Sequence, residues 1–162
     1  MSNLQALLNN IPQEGIINWI GIRPAKKAEL NSVKQAEVSI ESGLIGDHYT
    51  GKSRKRQVTF IQAEHLQAVA SFLQKEQIDP RLTRRNIVVS GINLLSLKEK
   101  QFQIGEVILE TTGLCHPCSR MEENLGEGGY VAMRGHGGIT TKVIRGGSIK
   151  VGDVVKFLKE KF

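Results

Sequence analysis

The sequence contains few cysteines, few aromatic residues and no long apolar run. Its two cysteines exclude the disulfide framework that stabilises many small secreted domains. No apolar run approaches the roughly 20 residues that cross a bilayer as a helix. The first fifteen residues also lack the basic start and apolar centre of a secretory signal peptide. These absences predict a cytoplasmic protein that does not associate with membranes, and with aromatics at 5% its core must consist mainly of Ile, Leu and Val.

Glycine and positive charge are the abundant features. The 17 glycines stand between short β-branched runs, which predicts many turns between short strands. A formal net charge of +6 favours anionic partners such as nucleic acid, a membrane surface or a phosphorylated cofactor. The same charge can simply aid solubility. A length of 162 residues fits one domain, and no linker divides residues 1–162.

Alternating apolar and polar residues predict a mainly β protein. We expect strands over 15–23, 36–41, 58–61, 87–89, 101–112, 139–145 and 148–157. Gly146-Gly147 predicts a hairpin between the last two strands, while 122–138 shows little periodicity and is expected to be a glycine-rich connection. A closed or nearly closed β-barrel accommodates so many short strands.

Helical spacing occurs in two places. Over 62–75, Leu66, Val69, Ala70 and Leu73 fall on one face, which predicts an amphipathic helix. Residues 1–14 are expected to form a shorter helical lead-in that Pro12 ends. We therefore expect one or more helices at the periphery of the barrel.

Cys115-His116-Pro117-Cys118 is the first candidate for chemistry. A C-x-x-C pair can be half of a zinc site, a redox dithiol, one working thiol, or two small buried side chains. Zinc needs further ligands, and the other histidines are scattered along the sequence. A redox dithiol is expected between a strand and a helix, whereas these surroundings are predicted to be β. His116 and Arg120 favour a reactive Cys118 if they approach it in space.

Three further segments carry polar groups suited to an anion. Arg84-Arg85-Asn86 precedes a predicted strand, where the guanidinium groups either grip a phosphate or planar heterocycle or stay solvated. Asp47 and His48 occupy a predicted turn, Asp47 to close it and His48 to donate to an anion or lie on the surface. The basic segment 52–56 could contact phosphates, but only Tyr49 lies near it for base stacking, so nucleic acid binding is not favoured.

Taken in order, these motifs resemble the MOSC family, named for the C-terminal domain of molybdenum cofactor sulfurases. The resemblance extends from about residue 19 to residue 157. Its segments are GIRP at 21–24, GLIGDH at 43–48, RQVTFIQAEHL at 56–66, RRNIVVSGINL at 84–94, IGEVILETTGLCHPC at 104–118 and GGITTKVIRGGSIKVGDVV at 137–155.

The resemblance implies a β-barrel with a cleft for a pyranopterin molybdenum cofactor. Cys118 matches the family's characteristic cysteine, so it is expected to be the catalytic residue and the molybdenum ligand. The residues expected to bind the cofactor are Arg84, Arg85, Asn86, Asp47, His48 and His116.

Three functions remain open at this point. The domain could support the reduction of N-hydroxylated or N-oxide substrates with electrons from a partner protein. It could instead carry sulfur as a Cys118 persulfide; no pyridoxal phosphate site is expected in this chain, so a separate cysteine desulfurase would supply that sulfur. The third is a non-enzymatic barrel that binds an anion or nucleic acid and whose cysteines are inert.

Overall fold

The described residues form a closed seven-stranded β-barrel. The computed structural model describes residues 3–49, 51 and 53–162. The barrel strands are β1 (Gly15–Ile22), β5 (Val58–Gln62), β6 (Ile87–Ser90), β7 (Gln101–Ile104), β8 (Val107–Leu114), β9 (Ile139–Arg145) and β11 (Val154–Leu158). They run in the order β11, β7, β8, β9, β5, β6 and β1, and β1 pairs back to β11. The mainly β prediction and the predicted barrel are therefore confirmed.

Apolar residues that point inward fill the barrel. Ile17 and Ile20 of β1 both point inward, because a bulge between Ile17 and Trp19 shifts the alternation of the strand by one residue. Phe60 and Phe102 meet edge to face at the centre, with ring centroids 5.3 Å apart. All adjacent barrel strands are antiparallel except β5 and β6, which helix α2 (Ala63–Phe72) connects.

A second apolar cluster lies outside the barrel, where helices pack on β5 and β6. Ile61 and Val88 of those strands contact residues of α2, of α3 (Arg120–Leu125) and of α4 (Gly129–Met133). Leu66, Val69 and Ala70 of α2 are buried, which confirms the predicted helix and its apolar face. Helix α1 (Asn3–Leu8) is shorter than the predicted lead-in, and its leucines are exposed.

A small second sheet shows that the predicted hairpin at Gly146-Gly147 is wrong. Strand β10 (Gly147–Lys150) pairs with β3 (Gln35–Ser39), which also pairs with β4 (Gly43–Leu44). Strand β9 pairs with β5 and β8 instead. The predicted strand over 148–157 is thus β10 and β11 with a turn between them. A further short strand, β2 (Asn31–Val33), pairs antiparallel with β1 outside the closed ring.

Two other segments differ from the sequence prediction. The predicted strand over 101–112 is the hairpin β7–β8, in which Gly105 has the positive φ of +58° that the turn requires. Val107, Ile108 and Leu109 are all buried, because residues beside a turn and a bulge do not keep strict alternation. The glycine-rich segment 122–138 contains most of α3 and all of α4. None of the described helices combines the length and apolar character needed to span a bilayer.

Candidate functional site

Barrel topology brings the predicted site segments together around a cavity of about 220 Å³. The end of β1 lies beside the start of β6, and the segment after β8 reaches the same place. We call this the thiol cavity; its lining residues are Arg23, Asp47, Tyr49, Arg56, Thr59, Arg84, Arg85, Asn86, Cys115, Cys118 and Arg120. Five guanidinium groups thus surround one carboxylate, that of Asp47, so the described lining has a strong excess of positive charge and favours an anionic ligand.

Asn86 and Asp47 fasten the strands of the cavity rather than offer free groups to a ligand. The Asn86 side chain accepts from the backbone N–H and hydroxyl of Thr59 and donates to the Gly21 carbonyl and to Asp47 Oδ1. Asp47 Oδ1 also accepts from the Arg23 backbone N–H at 2.8 Å, and Asp47 Oδ2 lies 3.8 Å from Arg23 Nη2. Both side chains are buried and saturated with partners, as buried polar groups must be.

Arg85 holds the cysteine segment against the start of β6. Its guanidinium is buried and donates to four backbone carbonyls, those of Thr83, Cys115, His116 and Gly137. Burial lowers the pKa of Arg85, and negative charge at Cys115 or Cys118 would raise it. Gly137 completes the contact, because a Cβ atom there would collide with the Cys115 carbonyl oxygen. Arg85 is therefore mainly a structural clamp.

Arg84 differs from its neighbour because much of its guanidinium is buried without a partner. Nη1 donates to the Ala28 carbonyl at 2.7 Å, while Nε and Nη2 find no acceptor among the residues that the structure describes. Arg23 Nε is buried and unpaired as well. Burial lowers the pKa of Arg84, nearby Arg23 and Arg120 lower it further, and a Cys118 thiolate or Asp47 would raise it. Buried donors without acceptors are costly, so these N–H groups mark where a ligand oxyanion fits.

The two thiols line the same cavity but differ in exposure. Both are free; Cys118 is exposed, whereas Cys115 is buried and its Sγ accepts from Arg56 Nη2 at 3.7 Å. Because Cys118 is the accessible thiol, it is the candidate nucleophile or metal ligand. The described residues include no cluster of three or more His, Cys, Asp or Glu side chains suited to a metal ion.

The sequence predicted that the cysteines have β surroundings, but the structure places a helix directly after them. The pair lies between the end of β8 and the start of α3, a helix that the glycine-rich sequence did not indicate. Residues 115–118 have no regular secondary structure, and the Cys118 carbonyl accepts from the Met121 backbone N–H where α3 begins. Arg120, the first residue of α3, lines the thiol cavity, but His116 is exposed and lines a different cavity.

His48 and the basic segment 52–56 were also predicted to contact an anion. Of their described residues, Arg56 lines the thiol cavity. The side chain of His48 is not part of the described lining, and its backbone N–H donates to the Arg23 carbonyl. In the basic segment, Arg54 donates to the Val143 carbonyl and Arg56 lines the cavity. Lys52 lies outside the described residues. Arg54 and Arg56 thus contact the domain itself instead of joining one outward-facing basic surface.

Arg23 and Thr59 were not among the predicted site residues, and Arg56 was considered only as part of the basic segment 52–56. Arg23 follows β1, and Arg56 and Thr59 stand at the start of β5, so each belongs to a segment whose strand was predicted. Their sequence signal is only the position of a polar residue at a strand end. Assigning them requires knowing that β1, β5 and β6 are neighbours, which is a property of the closed sheet.

Comparison with known proteins agrees with this arrangement. The model of the MOSC domain matches residues 46–156, and the chain belongs to this family. No curated protein sequence matches the chain significantly.

Solved structures share the fold at low sequence identity. The YuaD protein of Bacillus subtilis is 18% identical, with a TM-score of 0.77 over 91% of this chain and 97% of that one. YiiM of Escherichia coli is 16% identical, with a TM-score of 0.67 over 90% of this chain and 71% of that one. YiiM of Geobacillus stearothermophilus is 13% identical, with a TM-score of 0.72 over 89% and 75% of the two chains.

Proposed function

We propose that this domain binds a molybdenum cofactor in the thiol cavity, with the Cys118 thiolate as the molybdenum ligand. The observation that carries the proposal is the joint presence of an exposed free thiol and unpaired, buried guanidinium N–H groups in one cavity. The cofactor needs both, because its metal accepts soft sulfur ligands and its pterin carries a phosphate. Membership of the MOSC family supports the same assignment.

The residues divide into those that would hold the cofactor and those that position them. Arg84 and Arg23 would donate their free N–H groups to oxyanions, and Arg120 adds positive charge near Cys118. Arg85 and Asn86 would keep the cysteine segment and β6 in place through their saturated hydrogen bonds. When bound, the cofactor supplies oxygen-atom transfer chemistry. On this basis we propose that the domain supports the reduction of N-hydroxylated or N-oxide substrates, with electrons from a partner protein.

The proposal predicts that molybdenum content depends on Cys118. Wild type purified from a host that makes the cofactor should contain stoichiometric molybdenum and release a fluorescent oxidised pterin. Cys118→Ser should lose most of the metal, because a neutral hydroxyl is a much poorer ligand for it than a thiolate. Metal analysis and pterin fluorescence on the same samples measure this.

Cys115→Ser is the matched control, because it removes the other cavity thiol and leaves Cys118. This variant should retain molybdenum. Metal loss in Cys115→Ser but not in Cys118→Ser would reverse the assignment of the ligand. Wild type without molybdenum, even when the host produces the cofactor, would contradict the proposed function.

The exposure of Cys118 also favours a second candidate, a sulfur carrier. The Cys118 thiolate would attack the terminal sulfur of a desulfurase persulfide, and the desulfurase thiolate would leave, so that a Cys118 persulfide forms. Incubation with a cysteine desulfurase and cysteine should then label wild type, but not Cys118→Ser, with a persulfide-specific reagent. Absence of label on wild type would contradict this candidate.

A further inference from the structure

A second and larger cavity adjoins the thiol cavity. Its volume is about 440 Å³, and the two cavities share Cys115 in their linings. We call it the apolar cavity; the side chains used below are Leu95, Leu114, Pro117, Tyr130 and Arg134. A ligand in this cavity would lie against the segment that carries both thiols.

Large apolar side chains that are partly exposed to solvent line the apolar cavity. Leu95 is 37% exposed, Leu114 46% and Tyr130 40%, although they come from three separate parts of the chain. Single exposed apolar residues are normal on a protein surface. Three that converge with Pro117 on one concave space have the character of a small-molecule site, since ligand pockets are mostly apolar with a few polar groups.

Arg134 supplies the polar group of this cavity. It is exposed, and its guanidinium makes no hydrogen bond or ion pair with the residues that the structure describes, while its backbone N–H donates to Val131. The other described lining residues include no Asp or Glu side chain. The field at the rim therefore attracts a negative charge, and the guanidinium can bind a carboxylate or sulfonate through two N–H groups.

We propose that the apolar cavity binds a small aromatic anion, with its ring against Leu114, Pro117 and Tyr130 and its acidic group on Arg134. Tyr130 and Pro117 offer flat apolar surfaces, and aromatic rings gain from contact with such surfaces. Because this cavity adjoins the segment that carries both thiols, we assign it as the substrate site. The assignment as a substrate site rests on the proposed function, whereas the binding of an aromatic anion does not.

Two fluorescent probes with related ring systems test the proposal. 1-Anilinonaphthalene-8-sulfonate carries the anion, and N-phenyl-1-naphthylamine lacks it. Wild type should bind both saturably. Arg134→Gln should weaken binding of the sulfonate by about tenfold, the effect of losing about 1.4 kcal/mol of charge interaction, and leave the neutral probe unchanged. Tyr130→Ser should weaken both probes, because it removes apolar contact area.

Val131→Ser is the matched control, because Val131 is 71% exposed and does not line the cavity. It should leave both affinities at the wild-type value. Cooperative thermal unfolding would verify that every variant is folded. If Tyr130→Ser does not fold, Arg134→Gln still tests the proposal. Equal sulfonate affinity in wild type and Arg134→Gln, or equal weakening in Val131→Ser, would overturn the proposal.

The outcome can be separated from that of the proposed function. The probes are titrated into metal-free protein, and Cys118→Ser should bind them like wild type. If the probes respond to Arg134→Gln while wild type never loads molybdenum, the ligand site stands and the cofactor proposal fails. If molybdenum loads normally and Arg134→Gln has no effect on the sulfonate, the aromatic-anion site alone is wrong.

Discussion

Arg84 and Arg85 are adjacent in the chain, yet their guanidinium groups meet different surroundings. Arg85 donates to four carbonyls and needs no ligand to satisfy it. Arg84 has a left-handed backbone, with φ of +63°, and its buried Nε and Nη2 find no acceptor among the described residues. Buried donors without acceptors are costly, so a ligand that accepts from Arg84 would remove that cost.

This contrast predicts that replacing Arg85 mainly lowers stability, whereas replacing Arg84 mainly lowers anion binding. Arg85→Met should lower the free energy of unfolding by about 3 kcal/mol or more, because buried carbonyls lose their donors. Arg84→Met should change it by less than about 1 kcal/mol, since one hydrogen bond is lost and two unpaired donors are removed. Inorganic phosphate should raise the melting temperature of wild type by binding the folded state, and Arg84→Met should abolish this rise.

Urea unfolding and thermal unfolding with and without phosphate measure both quantities. Equal losses of stability in the two variants would show that Arg84, like Arg85, is a structural clamp. A full phosphate response in Arg84→Met would remove this residue from the anion site.

Helix α2 contacts the loop before β9 through two histidines, His65 of the helix and His136 of the loop. The ring centroids of His65 and His136 are 4.8 Å apart, and Phe72 lies 5.8 Å from His136. Burial lowers the pKa of His65 below its ordinary 6.5, His136 lowers it further, and Glu64 opposes both. The fold therefore favours neutral His65. This contribution to stability is complete above pH 6.5 and is lost as the pH falls through the pKa of the folded state.

The pair predicts a measurable coupling. In an NMR titration, the imidazole of His65 should have a pKa below 6.5, and His136→Gln should raise it because the neighbouring positive charge is removed. His65→Gln should also reduce the loss of stability between neutral and mildly acidic pH. A His65 pKa at or above its ordinary value in wild type would contradict this view of the pair.

At the scale of the whole molecule, the barrel closes at a short seam. Strands β1 and β11 are in register at only two positions, Gly15 with Val155 and Ile16 with Val154. Strand β11 also pairs along its length with β7, so it fills the gap between two strands that would otherwise be sheet edges. Exposed edges of this kind pair with other chains and aggregate.

Truncation tests the importance of this seam. Removal of 154–162 should prevent formation of the soluble folded protein, because it opens the barrel and exposes the β7 and β1 edges together with the core around Phe102. Removal of 159–162 alone should be tolerated, since these residues are exposed and follow the last strand. Soluble expression and circular dichroism measure the outcome. A cooperative, soluble product of the longer deletion would show that closure is dispensable.

The sequence determined the features that depend on near neighbours. Short apolar and β-branched runs located the strands near 15–23 and 58–61, and the 3.6-residue period located α2. The ordered motifs identified the family and pointed to Cys118 and Arg84. Such patterns record which side of an element is buried, and they are readable without knowledge of the partner element.

Only the tertiary structure decided which elements meet. Sequence proximity suggested that β9 would pair with the segment after Gly147, but β10 adds to β3 because the barrel already supplies both partners of β9. The same long-range pairing brought Arg23 and Arg56 to the thiol cavity and directed His116 to the apolar one. It also gave Arg84 and Arg85 different surroundings: Arg84 keeps unpaired donors, whereas Arg85 donates to four backbone carbonyls. Pairing energies come from residues far apart in the chain, so local periodicity carries no record of them.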